Sequence, residues 1–314
     1  MAKWIITGGA GYIGRHLVRA LRETNLETIV IDSMISGIEE SIPDGTSFYK
    51  GDILNRAFVE NILEANTITG VINLAGLKSV EESIKNPELY FKINHLAVEG
   101  LLDICIKNNV KYFIQSSSAS VYGNSNVGYV GEDDTLNPIS PYGESKLLAE
   151  EAIRKQIASG NIQGTNLRYF NVVGTKEYEL RDRSTTNLFP MVLTSISSDL
   201  APAIYGDDYD TPDGTCIRDY VHVEDIAKAH VIAMDQLSTK SLPLAINIGT
   251  GIGHSVREVV NGLLKANHSE LLPVVNPRRE GDPSFLAAKV DLAYESIGFR
   301  ATKSFTEMIE SSYL

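Results

Sequence analysis

The residues best placed to do chemistry are Tyr142 and Lys146, in the run Ser140-Pro141-Tyr142-Gly143-Glu144-Ser145-Lys146. Four positions apart at the start of a helix, a phenol and an ammonium share one face. A free tyrosine titrates near pH 10, so a phenol acting as a base near pH 7 must be lowered by about three units, or roughly 4 kcal/mol. A neighbouring cation favours the phenolate and acts in that direction. Upstream, Ser116-Ser117-Ser118 closes an apolar run and brings the Ser118 hydroxyl to the same end, where it can share a substrate proton. Alone, such serines read as a polar loop cap. A Tyr/Lys pair in a chain with 14 tyrosines also arises readily by chance. The surrounding elements give the set its meaning.

A second chemistry-bearing block lies near the N-terminus. Gly8-Gly9-Ala10-Gly11-Tyr12-Ile13-Gly14 follows a β-branched run and opens a helical segment. Glycines there permit unusual backbone angles and let a pyrophosphate approach the positive helix N-terminus. Asp32, ending the next β-branched run, can accept the ribose hydroxyls of NAD and would repel a 2′-phosphate. No arginine occurs in 33–40, so NAD is favoured over NADP. A cationic nicotinamide would join Lys146 in favouring the Tyr142 phenolate. A second cluster, Gly249-Thr250-Gly251-Ile252-Gly253, reads as a strand-to-helix turn. His222 and His230 lack metal-ligand spacing with any cysteine or acid cluster and read as ordinary histidines, so no metal site is expected.

The supporting elements read as parallel βαβ units. Short β-branched runs at 4–7, 28–32, 47–50, 71–74, 111–116 and 164–169 alternate with segments of helical period at 12–23, 56–65, 87–108 and 141–158. Asn86-Pro87 and Ser140-Pro141 each place a polar cap before a proline at the first helical position. This predicts an α/β fold, a Rossmann-like doubly wound parallel sheet with a smaller C-terminal α/β substrate-binding lobe. At 314 residues the chain divides into an NAD-binding Rossmann domain over 1–170, with later segments near 215–235 packing back on it, and a lobe over 171–314. In that second part prolines interrupt the alternation; 245–248 reads as a strand and 255–266 as a helix.

Composition excludes several classes. With 43% apolar and 22% charged residues the chain is an ordinary folded protein. A net charge of −12, and no basic run longer than Arg278-Arg279, argue against nucleic acid as a partner. No stretch of about 20 apolar residues spans a bilayer, and the opening apolar run is too short for a signal-peptide core. Cys105 and Cys216 sit in apolar surroundings as reduced thiols, which predicts a cytoplasmic protein.

These blocks, taken together, resemble the extended short-chain dehydrogenase/reductases, and most specifically their UDP-hexose 4-epimerase branch. The resemblance runs along nearly the whole chain. It is carried by Thr7-Gly8 through Gly14, Gly51-Asp52-Ile53, Leu74-Ala75-Gly76-Leu77-Lys78, Ser116 through Gly123 and Ser140-Pro141-Tyr142-Gly143. In the second half it is carried by Leu167-Arg168-Tyr169-Phe170-Asn171, Asn187-Leu188, Asp213-Gly214-Thr215 with Arg218 through Val223, and Arg278-Arg279-Glu280-Gly281-Asp282. The glycine block and Tyr-Lys pair mark only the superfamily, whereas the second-half blocks point to the epimerases. Related dehydratases carry an Asp-Glu pair, and decarboxylating relatives a glutamate, where this chain has Ala119 and Ser120.

The resemblance implies that Tyr142 takes the proton of the sugar 4′-hydroxyl while the C4 hydride passes to NAD. Lys146 would hold the ribose and lower the phenol, and Ser118 would bond the same oxygen. The 4-keto sugar then turns and takes the hydride back on its other face, so NAD stays bound. The implied cofactor contacts are Gly8, Gly11, Tyr12, Ile13, Gly14, Asp32, Ser33, Asp52, Ile53, Leu74, Ala75, Gly76, Lys78, Asn94, Ser116, Tyr142, Lys146, Tyr169 and Phe170. Those to the UDP-sugar are Lys78, Ser118, Tyr142, Asn171, Asn187, Leu188, Tyr205, Arg218, Arg279, Asp282 and Leu286; two arginines suit a diphosphate. A homodimer is also implied, through helices around 94–108 and 142–158. The chain departs from the family over 175–186, which leaves that wall of the sugar pocket undefined. Leu286, smaller than the tyrosine found there in some members, predicts acceptance of UDP-N-acetylhexosamines. Lys289 replaces a commonly acidic residue. The competing readings are another sugar-nucleotide epimerase or reductase, acting on a uronic acid or deoxysugar, and a non-catalytic nucleotide-sensing protein on the same fold.

Overall fold

The computed structural model describes residues 3–24, 26–124, 128–279 and 282–312; Glu280 and Gly281 of the arginine block lie outside them. The strands are β1 (Lys3–Thr7), β2 (Glu27–Asp32), β3 (Ser47–Lys50), β4 (Gly70–Asn73), β5 (Tyr112–Ser118), β6 (Tyr129–Val130), β7 (Gln163–Tyr169), β8 (Asn171–Val173), β9 (Ala203–Tyr205), β10 (Ile217–His222), β11 (Ala245–Ile248), β12 (Gly253–Ser255), β13 (Val274–Asn276) and β14 (Phe285–Ala288). The helices are α1 (Tyr12–Arg22), α2 (Arg56–Glu64), α3 (Val80–Lys85), α4 (Pro87–Phe91), α5 (Ala97–Lys107), α6 (Pro141–Ala158), α7 (Leu188–Ser197), α8 (Val223–Leu237), α9 (Val256–Ala266), α10 (Asp291–Ile297) and α11 (Phe305–Glu310).

Successive side chains of a strand face opposite ways, and both faces of the main sheet are covered. Ile5, Ile29, Ile31, Val71 and Phe113 pack against Val59 of α2, Leu101 of α5 and Ile153 of α6. Their neighbours Ile6, Val30, Ile72, Ile114 and Leu167 pack the other way, against Leu17 and Leu21 of α1 and Ile226 and Ala233 of α8. Each such side chain contributes about 1.5–3 kcal/mol on burial. The result is a doubly wound, seven-stranded parallel sheet in the order β11-β7-β5-β4-β1-β2-β3. Strand order reverses between β1 and β4, which opens a crevice at the carboxyl ends of these strands.

Residues beyond 170 return to this unit more extensively than 215–235 alone. β11 pairs with β7 at the sheet edge, and α8 and α10 pack on its face through Ala229, Met234, Ala293 and Ile297. A smaller mixed sheet has the order β12-β10-β14-β6, with β8 beside β10; β12 runs antiparallel and the rest parallel. Its core joins Phe189, Tyr220, Val259, Leu263 and Met308. β9 and β13 form a separate parallel pair.

Local signals explain most boundaries. Ser140 caps α6, its Oγ accepting from Gly143 N at 3.1 Å, with Pro141 next in line. The Asn86 side chain makes no such bond; the residue ends α3 and begins α4, and Pro87 alone marks the start. Helix α3 has its own cap, Ser79, which accepts from Glu82 N. The expected helix over 87–108 is one rod with a widened π turn at Lys92–Leu96, which buries Asn94.

Two buried polar contacts bind the layers. Glu150 of α6 and Arg168 of β7, both almost wholly buried, pair bidentately at 2.9 and 2.7 Å. Ser117 of β5 donates to the same carboxylate at 2.5 Å. On the opposite face, His230 of α8 donates from Nδ1 to the Ile226 carbonyl at 2.8 Å. Its Nε2 therefore accepts the Tyr169 hydroxyl of β7 at 2.5 Å. Burial lowers this imidazole from 6.5 to about 4.

Glu150→Gln or Arg168→Met leaves one buried charge unpaired, and urea unfolding should show a loss of about 3–5 kcal/mol. His230 supplies a pH signature. Between its ordinary value of 6.5 and about 4, the unfolded chain binds a proton that the folded imidazole refuses. Stability is therefore full above pH 6.5 and falls as the pH drops through that window, by up to about 3 kcal/mol from this residue. Urea unfolding at pH 7 and 4.5 should show a smaller acid loss for His230→Gln than for the parent.

Candidate active site

The turn after β1 has room only for glycine at two positions. Gly8 adopts φ 69°, and a Cβ on it would stand 2.6 Å from Ala75 N. A Cβ on Gly14 would stand 2.2 Å from the Gly8 carbonyl oxygen, so the first turn of α1 presses directly on the loop. No acidic side chain occupies that turn and no side chain caps it, so its amides and dipole are available to an anion. Asp32 closes β2 beside it. Its two oxygens accept from Ala10 N at 2.9 Å and Met34 N at 2.8 Å. A carboxylate has about four acceptor positions, so two remain for a ribose diol. These features fit a dinucleotide.

The catalytic set lies across the crevice. Tyr142 and Lys146 project from the first turns of α6, and Ser118 ends β5. Ser118, whose hydroxyl donates to Ser120 Oγ at 3.2 Å, lies close enough to the Tyr142 phenol to pull its pKa down, but burial is the larger effect and holds it above the ordinary value of 10. The expected lowering of the phenol by Lys146 is absent from the protein's own groups. Lys146 Nζ instead donates to the Ser116 carbonyl at 3.0 Å. Burial also lowers this ammonium to about 8, against the pull of Glu150.

Beneath Lys146 a hydrogen-bonded row crosses three strand ends. Thr7 of β1 donates to Asn73 of β4, Asn73 Nδ2 to Gln115 of β5 at 2.8 Å, and Gln115 Nε2 to the same Ser116 carbonyl at 2.9 Å. Tyr90 supports the set from α4: its ring meets Tyr142 edge-on, and its hydroxyl accepts from Ser79 N and donates to Glu82. Neither the row nor Tyr90 was read from the sequence. The row joins residues whose strand neighbours are known only once register is known, and Tyr90 is one of 14 tyrosines without a motif.

The second half of the chain builds the facing wall. Arg218 of β10, largely buried, stands 3.4 Å from Asp282. The Arg279 guanidinium lies 4.1 Å from the centre of the Tyr205 ring. Arg278, by contrast, pairs with exposed Asp208 at the surface. Residues 175–186 form part of the wall through Arg181 to Thr186. There Asp182 accepts from Asn187 at 2.5 Å and pairs with Lys78 at 3.5 Å.

The glycine turn, Asp32, Ser118, Tyr142, Lys146, Arg218 and Arg279 surround one cavity of about 1160 Å³, which exceeds the size of an ordinary single-ligand pocket. Of the expected cofactor and substrate residues, every one lines it except Asn94 and Leu286. Asn94 stands behind the wall with its amide spent on Leu77 N, Leu77 O and Ser145 Oγ, so it holds the 74–78 loop against α6. Leu286 packs in an apolar cluster with Phe170, Ala119 and Tyr122. Lys289 lies 3.6 Å from Asp134. The Gly249–Gly253 turn wraps the buried Asp219 carboxylate, which accepts from Thr250 N and Gly251 N at 2.9 Å each. His222 caps α8 by accepting from Glu224 N. No helix among the described residues is long and apolar enough to cross a membrane.

The comparisons agree with this geometry. A family model described as the NAD dependent epimerase/dehydratase family matches residues 4–249. The UDP-glucose 4-epimerase of Azospirillum brasilense is 36% identical over 299 residues, covering 94% of this chain and 86% of its own. A crystal structure of UDP-glucose-4-epimerase from Stenotrophomonas maltophila, with bound NAD and formylated UDP-arabinopyranose, superposes with a TM-score of 0.93 at 33% identity, covering 99% of this chain and 97% of that one. The Bifidobacterium longum UDP-glucose 4-epimerase in complex with NAD+ and UDP gives 0.92 at 35% identity, covering 99% and 97%. With its glycine turn, its Tyr-Lys pair and its crevice at the sheet's reversal point, the chain belongs to the NAD-dependent epimerase/dehydratase family.

Proposed function

We propose that the chain is an NAD-retaining 4-epimerase that interconverts UDP-glucose and UDP-galactose. The observation that carries the reading is the single cavity in which Ser118, Tyr142 and Lys146 lie between the amides of α1 and the arginines of the second half. Gly8 to Gly14 and Asp32 bind the dinucleotide, and Arg218 and Arg279 bind the UDP diphosphate. When bound, NAD supplies a reversible hydride acceptor and a positive charge. Tyr142 removes the proton from the sugar 4′-hydroxyl, Ser118 bonds the same oxygen, and Lys146 holds positive charge beneath the phenolate. Because burial opposes ionisation of Tyr142, the phenolate depends on both cations. The cavity leaves room for the 4-keto sugar to present its other face before the hydride returns. Ala119 and Ser120 put no carboxylate beside Ser118, so neither water loss nor decarboxylation has its acid or base there.

A homodimer through helices near 94–108 and 142–158 is part of the same proposal; Leu89 and Leu96 are exposed on that rod. UDP-N-acetylhexosamine, uronic-acid and deoxysugar nucleotides share the hydride chemistry, and the assay below distinguishes UDP-galactose from them as a group.

Purified protein given UDP-galactose without added NAD should form UDP-glucose, followed by chromatography. No conversion while NAD is recovered from the denatured protein would assign a different sugar nucleotide, and absence of NAD would overturn the cofactor reading. Tyr142→Phe should lower kcat by about 10²–10⁴ while the bound NAD remains; retained turnover would overturn its assignment as base.

A further inference from the structure

Helix α1 carries polar side chains at positions 12, 15, 16 and 19, and its C-cap residue Glu23 follows them, a spacing that places them along one face. All five reach the segment that follows β8. Tyr12 donates to the Gly174 carbonyl at 2.5 Å. Arg15 donates from Nε to the Leu180 carbonyl at 3.2 Å and from Nη2 to the Arg181 carbonyl at 2.5 Å. His16 Nε2 donates to Leu180 O at 3.1 Å. Arg19 pairs with Glu177 at 3.6 Å, and Glu23 with Lys176 at 3.5 Å. From Arg181 the segment continues as cavity wall opposite the glycine turn. There Asp182 fastens its other side to Lys78 of the 74–78 loop.

Arg15 is the unusual member. It is 2% exposed, lines the cavity, and makes no ion pair with a carboxylate among the described residues. A buried guanidinium is costly unless its donors are paired, and here two backbone carbonyls accept from two of its five N–H donors. The bonds are charge-assisted and forked, a geometry that lysine does not reproduce. Its two carbonyl partners sit where the segment leaves α1 and becomes cavity wall.

We infer that residues 174–186 are a strap over the dinucleotide, with Arg15 as the positioning residue that fastens it to α1. This rests on the reading that NAD binds at the glycine turn. With the strap down, the dinucleotide is enclosed between α1, the 74–78 loop and the wall, and it leaves only when the strap lifts. Arg15 touches the strap, not the reacting atoms, and its effect appears in the release of the dinucleotide.

The test is release of radiolabelled NAD from the loaded full-length protein into an excess of unlabelled NAD. Arg15→Met, which keeps side-chain length and loses both bonds, should release label at least ten-fold faster. Arg15→Lys keeps the charge and reaches one carbonyl, so its rate should fall between the two. Trypsin should cut the loaded Met variant faster after Arg181 and Arg183, at an unchanged melting temperature. Equal release from the parent and from either folded variant would overturn the strap. A parent chain that binds no labelled NAD would overturn the cofactor reading instead, and the strap with it.

Discussion

Tyr142, Lys146 and Glu150 lie four residues apart along one face of α6, and the third holds the other two in place. Glu150 is locked to Arg168 of β7 and to Ser117 of β5 inside the protein. That contact sets both the rotation and the height of α6 against the strand ends. One turn up, Lys146 meets the Ser116 carbonyl; another turn up, Tyr142 stands edge-on to the Tyr90 ring. A buried pair of this kind is weak evidence for stability. Its value here is positional, because the alternative rotations of α6 would leave a buried charge unmatched.

The electrostatics of the site follow from the same burial. A phenol in a dry pocket resists ionisation, and an amine in the same pocket resists protonation. Tyr142 is accordingly raised and Lys146 lowered to about 8. Burial thus moves both groups toward their neutral forms, and further positive charge at hand would favour the phenolate. Arg15 repeats the theme across the cavity, where a buried cation donates to two backbone carbonyls of the wall segment.

Much of this was legible in the chain. Both faces of the main sheet are buried, so its strands read as apolar runs, and the Gly8–Gly14 turn is marked by residues that a close backbone approach requires, whereas Ser118, Tyr142 and Lys146 take their meaning only from the elements around them. What escaped depended on partners distant in sequence. The 162 positions between Tyr12 and Gly174 carry no local signal of their contact, nor do the strand registers that line up Thr7, Asn73 and Gln115. Asn94 matched a family contact, yet the π turn places it behind the wall, because helical period alone does not reveal where a helix widens. Residues 175–186 lack regular periodicity, and their course is set by the polar face of α1. Asn86 shows the limit of cap chemistry as a signal: the proline began the helix without help from its side chain.

In the proposed reaction hydride leaves C4 of a sugar and returns to the same carbon within one cavity. The most direct test is to incubate the protein with UDP-galactose deuterated at C4, together with UDP-galactose carrying carbon-13 throughout its hexose. The product is then read by mass spectrometry and NMR. The UDP-glucose formed should keep deuterium at C4, with none lost to water and none transferred to the carbon-13 sugar. Loss of the label to solvent, or its appearance on the other sugar, would contradict it.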